Sequence, residues 1–206
     1  MKTLASVNFT CYRGSTKKKF NYNVVDSRAF FDTVVEKGRG TFYKNFPKSS
    51  FVLSNKQAVL YLPKSESYAA IDFVVVFQEE SEYRFLFKQC TTTANGAAAH
   101  FQGKKDKFKK NAALFLNSFF GITDNNSTYE VEENADVGFK AVRRDFNSKE
   151  NSMPNSTVSI YLIYISARDK PCPKECKQSN KRKETPYYIL GGKDISDCYN
   201  IPLPQE

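Results

Sequence analysis

An aspartate stands inside one of the most apolar stretches of the chain, Ala69-Ala70-Ile71-Asp72-Phe73-Val74-Val75-Val76-Phe77. A carboxylate in such a run costs on the order of several kcal/mol unless a cation or hydrogen-bond donors meet it. Two readings of Asp72 stay open from position alone. It either sits at the open end of a strand, bonded to a backbone amide or an arginine, or it ligates a metal ion. The next apolar segment, Tyr83-Arg84-Phe85-Leu86-Phe87-Lys88-Gln89-Cys90, bears on the choice. Strand alternation puts Phe87, Gln89 and Thr91 on one face and Lys88 and Cys90 on the other. If the two segments form an antiparallel hairpin across residues 78–82, Asp72 and Gln89 lie about equally far from the turn and meet. An acid and an amide beside a basic helix make a weak site for Mg²⁺ or Mn²⁺, because Mg²⁺ takes one or two carboxylates plus waters. Glu36, near the end of a predicted first helix, could supply a second carboxylate.

Further residues could support such chemistry. His100 opens a long predicted helix, and Lys104, Lys105, Lys107, Lys109 and Lys110 follow it. The lysines are either a solvated helix face or, if the helix packs beside Asp72, a surface along which a phosphate backbone passes. The basic segment 168–184 includes Lys181-Arg182-Lys183, which suits phosphate contacts and nuclear localisation alike. Cys90 and His100 do not form a nucleophile pair, since Cys90 faces away from Gln89 and no third group orients the histidine. Cys172-Pro173-Lys174-Glu175-Cys176 lacks two zinc ligands, and the chain has a single histidine. Phosphate loops, nucleophile elbows and dinucleotide fingerprints are absent from the sequence.

The elements that must position these residues follow from periodicity. Phe30, Phe31, Val34 and Val35 at spacings of three and four predict a helix over 27–37, ended by Gly38 and Gly40. Residues 51–53 and 58–62 predict a hairpin with its turn at 54–57, closed by Pro63. Strands are predicted over 69–77 and 83–90. A helix is predicted over about 97–120, where Phe101, Phe108, Ala112, Phe115 and Phe119 recur on one stripe. The polar, acidic residues 123–136 read as a loop. Val158–Ile165 is a strand of β-branched and aromatic residues, and residues 187–190 a short last strand. The order predicts a single α/β domain, a mixed central sheet flanked by helices, over residues 25–195. Residues 1–24 form an extension or edge strand, and 196–206 a tail.

Composition limits the partners. Of 206 residues, 40% are hydrophobic and 26% charged, which excludes collagen-like, coiled-coil and fully disordered chains. Lys and Arg number 31 against 22 Asp and Glu, so the net charge is +9 and a polyanion is favoured: nucleic acid or an anionic membrane surface. No apolar run approaches the ~18 residues of a membrane span. The start has no apolar signal-peptide core, and the five cysteines are odd in number and scattered, so an intracellular setting is expected.

Taken in order, Pro63, Ile71-Asp72 opening a strand, Phe85-Leu86-Phe87-Lys88-Gln89-Cys90-Thr91 and then His100 resemble the PD-(D/E)XK restriction-endonuclease-like fold. Within it the chain is most similar to the nuclease-like domain of Crinkler effectors and retrotransposon hot spot proteins. There a Gln-x-Thr element stands where restriction enzymes carry Glu-x-Lys, and a histidine often follows at the next helix. The resemblance implies that Asp72 holds a divalent cation, Gln89 fills the second ligand position and Glu36 is the helix acid of some members. It also implies a catalytic place for Thr91 and His100 and DNA as the partner. One departure stands out: the motif lysine is Thr91 here, and Lys88 lies on the opposite face. Lys104 or Lys105 would have to replace it. The implied function is therefore a Mg²⁺-dependent nuclease, or a degenerate nucleic-acid-binding or protein-interaction module on the same fold.

Overall fold

Val7, Phe9, Cys11 and Arg13 are buried while Asn8 between them is exposed, the two-residue alternation of a strand with one wet face. In a computed structural model, which describes residues 3–31, 34–37, 40–43, 46, 56–64, 70–91, 96–122, 127–146, 157–166 and 185–190, these residues form β1 (Thr3–Arg13). A two-residue turn, with Gly14 at φ 56°, returns the chain into β2 (Thr16–Phe31). β3 (Val34–Lys37) and β4 (Gly40–Tyr43) make a separate two-stranded ladder. β5 (Gln57–Pro63) runs parallel to β2, and β6 (Phe73–Glu79) and β7 (Glu82–Thr91) follow as antiparallel neighbours. After α1 (Gly96–Phe119) come the β8 (Ser127–Asn134) and β9 (Gly138–Asp145) hairpin, β10 (Thr157–Ser166) parallel to β7, and β11 (Tyr188–Leu190).

β11 pairs with β1 on one side and β10 on the other, so the sheet closes on itself through β1, β2, β5, β6, β7, β10 and β11. β9 and β8 extend it beyond the first half of β10. Closure gives the wall two faces with separate cores. Every strand of the ring contributes to one of them: Val7, Phe9, Phe20, Tyr22, Ala58, Phe77, Leu86, Tyr161, Ile163 and Tyr188 fill the barrel interior. The outer core lies between the wall and α1, where Phe115 meets Phe31, Phe46, Tyr61, Phe85 and Phe87 at centroid distances of 5.0–6.2 Å.

Polar side chains close the interior. Arg84 is held by Glu79 and Glu82, and Ser159 Oγ donates to Glu82. Burial alone would raise the Glu82 carboxyl, but the Ser159 hydroxyl and the Arg84 guanidinium outweigh it and hold it below its ordinary value. Arg13, buried at the end of β1, donates to the carbonyls of Ala135 and Asp136 and so clamps the β8–β9 turn. Gly138 closes that turn at φ 87°, and any Cβ there would strike the Pro186 carbonyl.

α1 ends in a left-handed cap. Gly121 (φ 67°) donates to the Ser118 carbonyl and Ile122 to the Asn117 carbonyl. The Asn117 side chain then accepts from Tyr129 N (2.7 Å) and donates to Thr128 Oγ (3.0 Å), tying the helix end to β8.

The architecture is a single α/β domain in which strands predominate and α1 is the one helix among the described residues. The helix expected over 27–37 is the end of β2 followed by β3. β-branched and aromatic residues lose rotamer freedom in a helix and suit a strand, so their spacing of three and four decided nothing here. Residues 123–136, expected as a loop, contain β8. Its Tyr129 and Val131 face the core, and its Glu130 and Glu132 pair across to Arg144 and Lys140 on β9. Residues 3–24, expected as an extension or edge strand, belong to the closed ring. The expected strand 51–53 and the segment 168–184 lie outside the described residues. No helix of the described residues is long and apolar enough to cross a membrane.

Candidate metal and phosphate site

The β6–β7 hairpin turns at Glu80 and Ser81, with Phe73 opposite Lys88, so Asp72 falls opposite Gln89. Both side chains therefore emerge on the outer face, the one that carries Phe85 and Phe87. Asp72 N donates to the Lys88 carbonyl (2.9 Å), fixing the backbone just before β6. Two residues earlier, Ala70 adopts φ 74°, a left-handed conformation that costs a Cβ-bearing residue about 1–2 kcal/mol. Buried Ala70 and Ile71 anchor this bend in the outer core.

The Asp72 carboxylate is well engaged. Oδ2 accepts from Cys90 N at 2.6 Å and from Gln89 Nε2 at 2.9 Å. The carboxylate fixes which way the Gln89 amide points, with nitrogen toward Asp72. Gln89 is only 8% exposed, and its Oε1 is buried without a hydrogen-bond partner among the described residues. A buried amide oxygen left in this state forfeits about 1–3 kcal/mol. Tyr164 of β10 stands opposite Gln89. Burial, then Tyr187 and then Asp72, push its hydroxyl well above the ordinary tyrosine value. Burial and the adjacent Asp72 likewise raise the Cys90 thiol, which keeps it in the less reactive protonated form.

Lys88 faces the other way. It is 3% exposed, its Nζ donates to Tyr22 OH at 3.3 Å, and it lies over the Phe9 and Phe73 rings at 4.5 and 5.5 Å. The ammonium is inside the barrel and does not reach the Asp72 side of the wall. Thr91 lies partly exposed at the end of β7. His100 belongs to the first turns of α1, and its side chain lies outside the described residues. Glu36 is in β3, opposite Thr41, rather than near a helix end, and its side chain is likewise outside them. Lys105 is paired at the surface with Glu133 of β8, whose carboxylate raises its pKa. Lys107 and Lys110 are exposed and Lys104 and Lys109 half-buried along α1. Lys181, Arg182 and Lys183 lie outside the described residues. Among the described residues no group of three or more His, Cys, Asp or Glu side chains converges as a ready-made metal cage.

One basic feature escaped the reading of the sequence. Lys17 and Lys19 project from the outer face of β2 into solvent, with Lys17 Nζ 5.9 Å from the Tyr12 ring. The Lys17-Lys18-Lys19 run was the available signal.

No family model matches the chain, and no curated protein or solved structure matches it either.

Proposed function

We propose that the chain is a nuclease-like, nucleic-acid-binding domain on a restriction-endonuclease-like core, with Asp72 and Gln89 as its phosphodiester-directed centre. The observation that carries this reading is the 2.9 Å contact between Gln89 Nε2 and Asp72 Oδ2, two residues 17 positions apart that the resemblance implies as a ligand pair. The donor types suit Mg²⁺ or Mn²⁺: the Asp72 carboxylate and the buried Gln89 Oε1, which has no hydrogen-bond partner among the described residues, are both hard oxygens, although it is Nε2 that faces Asp72 here. Asp72 and Gln89 would hold the cation, whose chemistry there would be to polarise a scissile phosphate and lower the pKa of an attacking water. Asp72 supplies the anionic ligand. Cys90 N and Gln89 Nε2 hold that carboxylate in place, and Gln89 offers its amide oxygen as a neutral second ligand. DNA is the partner that the basic composition and the resemblance favour. An intracellular, nuclear setting fits Lys181-Arg182-Lys183.

Cleavage of supercoiled plasmid and single-stranded DNA with Mg²⁺ or Mn²⁺ tests the reading, beside EDTA and the Asp72→Asn variant. Nicking lost in EDTA and reduced at least ~100-fold in Asp72→Asn is the expected result. Undiminished cleavage by the variant overturns the assignment of the site.

A second reading, nucleic-acid binding without cleavage, is favoured by one observation. The lysine adjoining the motif, Lys88, is committed to the barrel interior, and Thr91 stands at the motif position. It predicts DNA binding with no metal-dependent nicking under any condition.

A further inference from the structure

We propose that the outer face of the β1–β2 hairpin, centred on Lys17 and Lys19, is a second nucleic-acid contact surface that grips the phosphate backbone beside the Asp72–Gln89 centre; this rests on the nucleic-acid reading above.

Three observations carry it. Between Thr3 and Val25 the chain holds Arg13, Lys17, Lys18 and Lys19 and no Asp or Glu, an unbalanced cationic segment in a protein that elsewhere intersperses both signs. Arg13 is spent inside the barrel and Lys18 leans over the Tyr161 ring, but Lys17 and Lys19 are exposed. The surface around them is polar, with exposed Asn8 and Asn21 as hydrogen-bonding groups and Tyr12 beneath Lys17. Proteins contact nucleic-acid backbones with this combination of cations, amides and hydroxyls.

Placement is the third observation. Gln89 stands opposite Tyr164, Tyr164 opposite Ile189, Ile189 opposite Tyr12, and Tyr12 opposite Lys17. Paired residues share a face, so one transverse row of the barrel's outer side links Gln89 to Lys17. Four strand spacings of ~4.8 Å put them about 19 Å apart along the wall, and curvature shortens the direct span. Tyr164 and Ile189 in the middle of that row are buried in the outer core, so a nucleic acid touching both ends passes over that core, a span within one ~34 Å duplex turn. Charge complementarity commits the surface to a polyanion, and its array of amides and lysines, with no exposed large apolar side chain between Thr3 and Val25 among the described residues, favours nucleic acid over a lipid surface.

The test is fluorescence anisotropy of a labelled DNA duplex and its single strand across a salt series. It compares wild type with Lys17→Glu/Lys19→Glu and Lys17→Arg/Lys19→Arg, beside sedimentation with phosphatidylserine-containing vesicles. The charge-reversed pair should bind at least ~10-fold more weakly, with the log–log salt slope reduced by about two, roughly one per lost phosphate contact. The arginine pair should bind as wild type does. If charge reversal lowers the melting temperature, Lys17→Gln/Lys19→Gln replaces it and should give about the same loss of slope. An unchanged affinity and slope in the reversed pair, or vesicle binding stronger than DNA binding, overturns the proposal. DNA binding that charge reversal weakens, with no cleavage at all, leaves the hairpin surface standing and defeats only the nuclease reading. Cleavage with binding indifferent to Lys17 and Lys19 does the reverse.

Discussion

Lys88 and Gln89 are neighbours in the chain, yet the closed wall of β7 puts them in environments that share almost nothing. Inside, Lys88 is one of the interior's own fillers, its ammonium between aromatic rings and the Tyr22 hydroxyl. Outside, Gln89 is part of a small polar centre whose partner, Asp72, stands just before the neighbouring strand β6. The two-residue period of a strand thus decides which of two adjacent polar residues serves the fold and which is open to chemistry. A lysine close to the right place in sequence is withheld from the site because a single position flips the face.

The largest expected effect breaks this contrast from the inside. Lys88→Ala removes a long buried stem and leaves the Tyr22 hydroxyl without this donor, so unfolding in urea should come about 2–4 kcal/mol sooner. Lys88→Met keeps the volume and should fall within about 1.5 kcal/mol of wild type, because buried charge is often replaceable by an apolar isostere. On the proposed function, neither should alter any metal-dependent cleavage except through stability. Lost cleavage in a fully folded Lys88→Met would show that the two faces are not independent.

Gln89→Glu sharpens the contrast from the outside. It sets a second carboxylate against Asp72 and removes the donor that now holds it, so in EDTA the variant should melt lower by an amount equivalent to about 1–3 kcal/mol. Millimolar Mg²⁺ should restore more melting temperature to this variant than to wild type. An equal response in both would argue against a cation between these two side chains.

Acid gives a smaller effect, confined to the interior. The Glu82 pKa is depressed in the folded state, so its contribution is complete above the ordinary carboxyl value of ~4.3. That contribution is lost as pH falls below this value through the depressed one. Glu82→Gln should therefore flatten the fall of melting temperature with acid while leaving DNA affinity at neutral pH unchanged. Smallest of all, Ala70→Gly relieves the left-handed residue before Asp72 but loosens the unfolded chain, and should raise stability by at most about 1 kcal/mol.

Legibility in the sequence was uneven for physical reasons. The pairing of Asp72 with Gln89 was readable because a short hairpin with apolar alternation has little freedom of register. α1 was readable because its phenylalanine stripe extends over more than five turns. The end of β2 was not, since Phe30, Phe31, Val34 and Val35 satisfy a helical spacing and a strand preference together. β8 hid behind its glutamates, whose place is understood only with Lys140 and Arg144 opposite them. Barrel closure had no local signal whatever, because it joins β1 to a three-residue strand near the other end of the described chain. The basic surface of β2 went unnoticed for a related reason: nothing local tells a lysine run on a central barrel strand from one on a loose extension.

That closing strand has a kinetic consequence. Tyr12 and Ile189 are 177 positions apart (189 − 12), so the ring is sealed by one of the most distant contacts available to this chain. Loop-closure entropy defers such contacts until most of the structure has formed. β11 is accordingly the last stave to enter, and until it does β1 and β10 present two open edges that can pair with other chains. Late entry of Tyr188, Ile189 and Leu190 would leave Tyr12 on β1 and Ile163–Ile165 on β10, the positions they pair with, open to other chains until the ring is sealed.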